Sequence, residues 1–187
     1  MDSDDSEMNI YIGIPFCASR CLYCSFTSYP IDRLGSLVDP YLDALEKELE
    51  FGSQWIKDNN LKINALYIGG GTPTALPEGQ FARLLSMVRG YFNQVREFTV
   101  EAGRPDTINR EKLRIIQESG ATRISINPQS MNRETLRLIG RNHTPGDITE
   151  KFYMARELGF DNINMDIIAG LPGENLDMFL GTLRQIE

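Results

Sequence analysis

A chain of 187 residues, 41% of them hydrophobic and 24% charged, is long enough for one sizeable core and has the composition of a globular domain. Its net charge of -7 argues against binding to nucleic acid or to an anionic membrane surface. The sequence has neither the h-region of a signal peptide nor a stretch as long as a membrane span, which predicts a cytoplasmic protein.

Strand-like apolar runs alternate with amphipathic segments along the chain. The predicted order is a strand at about 9–15, a helix at about 39–58, a strand at about 63–69, a helix at about 78–92, a strand at about 96–102, a helix at about 106–119, a strand at about 122–127, helices at about 132–139 and 146–158, a strand at about 162–169 and a helix from about 175. Strands joined by helical crossovers form parallel sheets. The fold class is therefore α/β, and a doubly wound sheet and a whole or partial (β/α) barrel both remain open.

The two faces of the predicted strands differ in polarity. One face is apolar and should pack on helices: Ile10, Ile12, Ile14, Leu66, Ile68, Phe98, Val100, Ile124, Ile126, Ile163, Met165 and Ile167. The other face carries Tyr11, Gly13, Tyr67, Gly69, Thr99, Glu101, Ser125, Asn127, Asn164 and Asp166. Buried polar groups need partners, so this face is predicted to line a ligand cavity, which favours a barrel-like curvature; an exposed sheet face is the alternative.

All three cysteines of the chain lie in one loop, Cys17-Ala-Ser-Arg-Cys21-Leu-Tyr-Cys24, directly after the first predicted strand. Three thiolates suit an iron-sulfur cluster and would leave one of four irons without a protein ligand. A structural zinc ion usually has four protein ligands, and the candidate fourth, His143, lies far along the chain. We therefore predict a cluster in a reducing compartment; a zinc site and three inert thiols are the alternatives, and His143 is predicted to be structural.

Further polar residues follow the other predicted strands at their carboxyl ends, where folds of this class place their chemistry. They are Gly69-Gly-Gly-Thr-Pro73, Glu101, Asn127-Pro-Gln129 and Asp166. Three successive glycines let another molecule lie against the backbone, and a ligand of amino-acid character is predicted there. The spacing of a Walker or Rossmann phosphate loop is missing.

Several segments resemble a known family. Cys17-x-x-x-Cys21-x-x-Cys24, with aromatic Tyr23 before the last cysteine, is similar to the signature of the radical S-adenosylmethionine enzymes. Six further segments resemble the oxygen-independent coproporphyrinogen III oxidase group: Tyr11-Ile-Gly-Ile-Pro-Phe-Cys, Tyr67-Ile-Gly-Gly-Gly-Thr-Pro-Thr-Ala, Glu97-Phe-Thr-Val-Glu-Ala-Gly-Arg-Pro-Asp, Arg123-Ile-Ser-Ile-Asn-Pro-Gln-Ser-Met-Asn, Ile139-Gly-Arg-Asn-His-Thr and Asn164-Met-Asp-Ile-Ile-Ala-Gly-Leu-Pro-Gly-Glu. The resemblance extends from Asn9 to near the end of the chain, and it implies a partial (β/α)6 barrel of which about five βα units are present.

The resemblance also implies the cofactors. A [4Fe-4S] cluster would be held by Cys17, Cys21 and Cys24, and S-adenosyl-L-methionine would chelate its fourth iron. One electron would then split the sulfonium into methionine and a 5'-deoxyadenosyl radical that abstracts hydrogen from an unactivated carbon. A cellular one-electron donor is therefore an implied partner.

Ten residues match cofactor contacts of the family: Tyr11, Tyr23, Gly70, Gly71, Thr72, Glu101, Gln129, Arg141, Asp166 and Ile168. The glycine turn would receive the methionine amino group, and Arg141 suits the methionine carboxylate by charge. Glu101 would accept hydrogen bonds from the ribose hydroxyls. Tyr23 and Ile168 would lie near the adenine.

The implied function is oxidative decarboxylation of coproporphyrinogen III to protoporphyrinogen IX in haem synthesis. Two positions depart from the best-studied oxidases, which carry a histidine at Gly13 and a Gly-Cys pair at Ser25-Phe26. The pattern at Ser25-Phe26 also occurs in the haem-chaperone branch of the group. A haem chaperone without porphyrinogen turnover is therefore the main alternative, and a structural metal module is a third.

The ends of the chain carry two further expectations. The acidic residues 1–8 are predicted to be a disordered leader, and residues 9–187 to form one radical S-adenosylmethionine core domain truncated at its C-terminus. The last helix has no glycine or proline stop, so a sixth strand is expected to follow. We therefore expect weak solubility or self-association, because an edge strand is exposed, and no porphyrinogen product from this chain alone.

Overall fold

The computed structural model describes residues 6–187, and its centre is a parallel sheet. Its strands are β1 (Glu7–Ile14), β4 (Lys62–Gly70), β5 (Glu97–Gly103), β6 (Arg123–Ile126) and β7 (Ile163–Asn164), hydrogen-bonded in the order β1-β4-β5-β6-β7. All four pairings in this sheet are parallel. Two short strands, β2 (Phe16–Cys17) and β3 (Tyr29–Pro30), form a separate parallel pair beside it. The predicted parallel α/β sheet is confirmed.

Helices connect the strands. They are α1 (Ile31–Leu34) and α2 (Val38–Asp58) before β4, α3 (Glu78–Tyr91) before β5, α4 (Arg110–Glu118) before β6, α5 (Arg133–Leu138) and α6 (Pro145–Glu157) before β7, and α7 (Leu176–Ile186) after it. Helix α4 begins later than predicted because Asn109 caps it, its side chain accepting a hydrogen bond from the backbone N–H of Lys112. A separate 3-10 turn, Pro105–Thr107, occupies the start of the predicted helix.

The apolar strand face packs against these helices as predicted. Ile14, Leu66, Ile68 and Phe98 have no exposed surface, and they belong to one large core with apolar residues of α2, α3 and α4. Burial of each such side chain contributes about 1.5–3 kcal/mol, so this face fixes which side of the sheet remains for a ligand. A smaller buried cluster joins Leu136 of α5 and Ile148 of α6 to Leu171.

Strand β1 begins two residues earlier than predicted. Glu7 pairs with Lys62 and Met8 with Ile63, so these two residues of the predicted leader belong to the sheet. Their alternation continues that of β1, and the partner strand β4 is long enough to pair with them. The carbonyl of Ser6, also in the predicted leader, accepts from the N–H of Lys62 at 2.7 Å, and residues 1–5 lie outside the described residues.

Strand β7 is much shorter than the predicted strand at 162–169. It pairs with β6 only at Ile163 and Asn164, and pairing resumes at a single bridge between Gln129 and Ile167. The break lies opposite Pro128, which has no N–H to donate to the ladder. Three residues, 126–128, lie opposite two, 165 and 166, between the paired positions, so Ile167 lines the cavity instead of packing on helices as predicted.

Within residues 6–187, no helix has both the length and the apolar character needed to cross a membrane.

Candidate functional site: a thiol loop at the rim of a polar cavity

The three cysteines lie in the loop between β1 and α1, at the carboxyl end of the sheet. All are free thiols; Cys17 and Cys21 are buried and Cys24 is half-buried. The loop is tied to the rest of the chain by Leu22, whose N–H donates to the carbonyl of Ile139 at 3.0 Å. Among the described residues no three His, Cys, Asp or Glu side chains converge on one ion. Three thiols in one loop suit a cubane, in which three of the four irons would each take one thiolate.

The glycine turn after β4 lies directly against this loop. The Gly71 N–H donates to the carbonyl of Ile14 at 2.7 Å, and the Thr72 N–H donates to that of Phe16 at 2.8 Å. A Cβ on Gly71 would lie 2.6 Å from the Phe16 oxygen and 2.9 Å from Cys17 Sγ. Only glycine therefore permits this approach of turn to thiol loop. Because both N–H groups are used, an amino group bound here would donate to carbonyl oxygens.

Carboxylates and an amide occupy the next strand ends. Asn127 Nδ2 donates to Glu101 Oε1 at 2.8 Å, and Asn164 Nδ2 donates to Asp166 Oδ1 at 2.7 Å. Burial, with the charge of Asp166, raises the pKa of Glu101 to about 7, although the Gly70 backbone, Arg141 and Asn127 oppose the shift. The carboxyl end of the sheet thus holds two neighbouring carboxylates, and the positive charge of Arg141 only partly offsets the burial of Glu101.

Arg141 joins the thiol loop to β6. Its Nη1 donates to the carbonyl of Asn127 at 2.5 Å and its Nη2 to the hydroxyl of Tyr23 at 3.0 Å. Burial raises the pKa of Tyr23 to about 12, against the opposing charge of Arg141. Arg141 Nε and Asn127 Oδ1 are buried and have no hydrogen-bond partner within residues 6–187. Buried polar atoms without partners are costly, so this corner of the cavity fits a polar ligand.

Gln129 has an unusual backbone conformation that links β6 to the segment after β7. Its φ is +67°, in the left-handed region, and its side chain is buried. Its N–H donates to the carbonyl of Asp166, and its carbonyl accepts from the N–H of Ile168, both at 2.9 Å. These bonds bring three of the predicted residues to one edge.

Two tyrosines form the outer wall. Tyr11 and Tyr67 stack with ring centroids 5.7 Å apart and planes 13° from parallel. Burial raises the pKa of Tyr67 to about 12, with the charge of Glu101 acting in the same direction. The sequence analysis placed Tyr67 on the cavity face but gave it no role. The alternation of Tyr67 with Gly69 along the strand was the feature that could have indicated one.

All thirteen predicted site residues line one cavity of about 1060 Å³. They are Tyr11, Cys17, Cys21, Tyr23, Cys24, Gly70, Gly71, Thr72, Glu101, Gln129, Arg141, Asp166 and Ile168. The volume is at the upper end of the range for small-molecule sites, so the cavity has room for a cluster and a nucleoside-containing cofactor together.

Sequence reasoning missed Arg104, which also lines the cavity. The residue is 2% exposed and donates from Nη1 to Cys21 Sγ at 3.7 Å. Only its position in Arg104-Pro-Asp106, just after a predicted strand, hinted at a role. His143 does not line the cavity, but its Nδ1 lies 3.7 Å from Asp106 Oδ1.

The residues fit an iron-sulfur cluster with an amino-acid-like cofactor. Three thiols face a cavity whose wall is closed at Gly71, where a Cβ would collide with Cys17. The unpaired Arg141 Nε suits a carboxylate, and the carboxylates of Glu101 and Asp166 suit positively charged or hydroxyl groups. A parallel α/β sheet with such a thiol loop after its first strand defines the class of radical S-adenosylmethionine proteins.

The sequence model of the Radical SAM superfamily matches residues 11–186, so the chain belongs to the radical S-adenosylmethionine superfamily. The superfamily uses a [4Fe-4S] cluster and S-adenosylmethionine, and these are the cofactors that the site fits.

Similar proteins fall into two functional groups. The chain is 45% identical over 184 residues to the oxygen-independent coproporphyrinogen-III oxidase-like protein HemZ of Bacillus subtilis, covering 97% of this chain and 37% of that protein. It is 41% identical over 169 residues to the heme chaperone HemW of the same organism, covering 89% of this chain and 43% of that protein. The solved structure of coproporphyrinogen III oxidase (HemN) from Escherichia coli has a TM-score of 0.81 and 32% identity, covering 96% of this chain and 41% of that one. The predicted α/β fold class, a partial barrel of this type, is confirmed by that structure. The chain spans about two fifths of the length of these relatives.

Proposed function

We propose that this chain forms the cofactor-cleaving centre of a radical S-adenosylmethionine oxidoreductase that converts coproporphyrinogen III to protoporphyrinogen IX. The observation that supports the proposal is the single cavity in which three thiols, the glycine turn, Glu101 and Arg141 meet. The similarity to an oxidase-like protein at 45% identity supports the choice of substrate.

The proposed reaction converts two propionate side chains to vinyl groups. Each propionate loses one hydrogen atom from the carbon next to the ring, one molecule of carbon dioxide and one electron, which passes to an acceptor. When bound, the cluster and S-adenosylmethionine supply the radical chemistry that removes the hydrogen atom.

The chain's own residues would bind and orient the cofactors. Cys17, Cys21 and Cys24 would hold the cluster, and the carbonyl oxygens of the turn at Gly70, Gly71 and Thr72 would accept from the methionine amino group. Arg141 would pair with the methionine carboxylate through its unpaired Nε. Holding both ends of the amino acid fixes its distance from the thiol loop.

The remaining residues would hold the nucleoside. Glu101 would accept from the ribose hydroxyls, while Tyr23 and Ile168 would contact the adenine and Tyr11 would close the outer wall. Gln129 and Asp166 would fix this side of the site through their mutual backbone bond of 2.9 Å. These contacts would keep water away from a reactive intermediate.

A haem chaperone is the second candidate. The 41% identity to a heme chaperone favours it, together with Ser25-Phe26 at the end of the thiol loop. Phe26 is exposed and lines the cavity, so it offers an apolar surface to a flat ring.

The experiment that separates the two uses the whole protein containing this chain, reconstituted anaerobically. Incubation with coproporphyrinogen III, S-adenosylmethionine and a reductant should yield protoporphyrinogen IX, and a matched titration with haem should produce no stoichiometric spectral shift. Stoichiometric haem binding without porphyrinogen product would replace the oxidase by the chaperone. We further propose a cytoplasmic location and a one-electron donor as partner, since the three thiols are free.

A further inference from the structure

A buried guanidinium lies between the thiol loop and the end of β5. Arg104 donates from Nη1 to the Ser19 carbonyl at 3.0 Å, to Ser19 Oγ at 2.8 Å and to Cys21 Sγ at 3.7 Å. On its other side, Nε and Nη2 donate to the two carboxylate oxygens of Asp106 at 3.0 and 2.8 Å. The Arg104 side chain is 3% exposed and that of Asp106 is 24% exposed, so the guanidinium itself is shielded from water.

Asp106 fixes the position of this charge. Burial raises the pKa of the Asp106 carboxyl, but His143 and the Arg104 guanidinium outweigh it and hold the pKa well below its usual range. The bidentate geometry aligns the planar guanidinium and leaves Nη1 directed at the loop. The three bonds from Nη1 join the guanidinium, already paired with Asp106, to the thiol loop.

We propose that Arg104 is a positioning residue that orders the thiol loop and raises the reduction potential of the cluster held there. The inference rests on the proposed function, because it assumes a cluster on the three thiols. No role for this residue follows from the thiol motif itself.

The physical reason is electrostatic. Reduction adds one negative charge to a cluster whose ligands are already anionic. The Arg104–Asp106 pair turns its positive end towards Cys21, where it stabilises that added charge. Hydrogen bonds to cluster sulfurs and nearby charge are among the factors that set such potentials. The bonds to Ser19 stabilise the loop conformation in which Cys21 meets this charge.

The test compares Arg104→Gln, Arg104→Lys and a matched control, Arg123→Gln, in the anaerobically reconstituted chain. Arg123 is a partly buried arginine that, like Arg104, has a carboxylate neighbour, but it lies at the other end of the sheet. Two quantities are measured: the iron and sulfide content, and the midpoint potential, which electron paramagnetic resonance monitors during reductive titration. Neither quantity depends on turnover.

We expect Arg104→Gln to shift the equilibrium between oxidised and reduced cluster about tenfold towards the oxidised form, that is, about 59 mV to more negative potential for one electron. Arg104→Lys keeps the charge and should shift the equilibrium less than about threefold, as should Arg123→Gln. If Arg104→Gln holds no iron, the lysine variant decides: a shift of more than about threefold in Arg104→Lys would overturn the inference, because that variant keeps the charge.

An unchanged potential in Arg104→Gln, or an equal shift in the glutamine and lysine variants, would overturn the inference while leaving the proposed function intact. A wild-type chain that binds no iron-sulfur cluster would instead refute the proposed function. The two failures are therefore distinguishable.

Discussion

Two glutamates on the same face of β5 have opposite surroundings. Glu97, at the amino end of the sheet, lies 3.7 Å from Arg123 Nη1 and accepts a hydrogen bond from Thr99 Oγ1 at 3.0 Å. Glu101, at the carboxyl end, lies near Asp166, and burial is the largest cause of its raised pKa. The carboxylate at the amino end has an arginine neighbour within 4 Å, whereas at the carboxyl end the charge of Arg141 only partly offsets burial and the charge of Asp166.

The difference indicates where a ligand completes the molecule. S-adenosylmethionine carries a sulfonium, an ammonium and two ribose hydroxyls, which would offer Glu101 and Asp166 positive charge and further hydrogen-bond donors. The carboxyl end of the sheet also holds the thiol loop and the unpaired Arg141 Nε. Variants at the two ends should therefore respond in opposite ways.

The largest expected effect is loss of the cluster. Wild-type chain reconstituted without oxygen should contain about four irons with matching sulfide. Replacing Cys17, Cys21 or Cys24 singly by Ala should abolish this content, because one iron then loses its thiolate and the remaining two thiolates do not hold the cluster. Zinc that copurifies in stoichiometric amount and resists replacement by iron would contradict the cluster.

The second effect concerns the approach of the glycine turn to the loop. Gly71→Ala should remove most of the iron, because its Cβ would collide with the Phe16 oxygen and with Cys17 Sγ. Gly79→Ala is the matched control: nothing lies within 4 Å of its Cβ, and alanine favours helix α3. Full iron content in both variants, measured under identical reconstitution, would show that this approach is not needed.

The third effect is the pH dependence of stability. The folded-state pKa of Glu101 is raised to about 7 from 4.5, so its contribution to stability is fully present below about 4.5 and is lost as pH rises through about 7. Glu101→Gln, which mimics the protonated acid, should be more stable than the wild-type chain by about 3 kcal/mol at pH 8. Urea unfolding of the cluster-free chain at pH 4.5 and pH 8 measures this difference.

Glu97→Gln provides the control with the opposite sign. It removes a half-exposed ion pair with Arg123, which should cost at most about 1 kcal/mol at pH 8. If Glu101→Gln is also destabilising at pH 8, the ionised Glu101 is compensated as well as Glu97 is, which would contradict the difference between the two ends of the face.

The fourth effect is on cofactor affinity. Glu101→Ala should weaken S-adenosylmethionine binding by about 1.5–3 kcal/mol, roughly ten- to a hundredfold, because charge-assisted bonds to the ribose are lost. Its cluster spectrum should stay unchanged, since the proposed contact of Glu101 is with the ribose rather than with iron. Equilibrium binding by Glu97→Ala should remain at the wild-type level; equal losses in both variants would return Glu101 to a structural role.

The sequence predicted the parts of the molecule that depend on local alternation and spacing. The strands around Ile14, Ile68, Val100 and Ile124 form close to the predicted positions, because a period of two determines which side chains face the helices. The thirteen site residues meet in one cavity because the carboxyl ends of parallel strands share one edge of the sheet.

The remaining features depend on contacts that local patterns do not encode. Strand β7 is short because Pro128, which follows the neighbouring strand β6, cannot donate to the ladder. Arg104 meets Cys21 across 83 positions of sequence, so no local signal could show that bond. The small β2–β3 pair consists of two residues on each side, too few to show a period.

The most direct test of the account is reductive cleavage of S-adenosylmethionine by the reconstituted chain. With a strong reductant and no oxygen, the wild-type chain should release 5'-deoxyadenosine and methionine in equal amounts, and Cys21→Ala should release neither. Full cluster content without any 5'-deoxyadenosine, at cofactor concentrations that saturate binding, would contradict the claim that this cavity is a cofactor-cleaving centre.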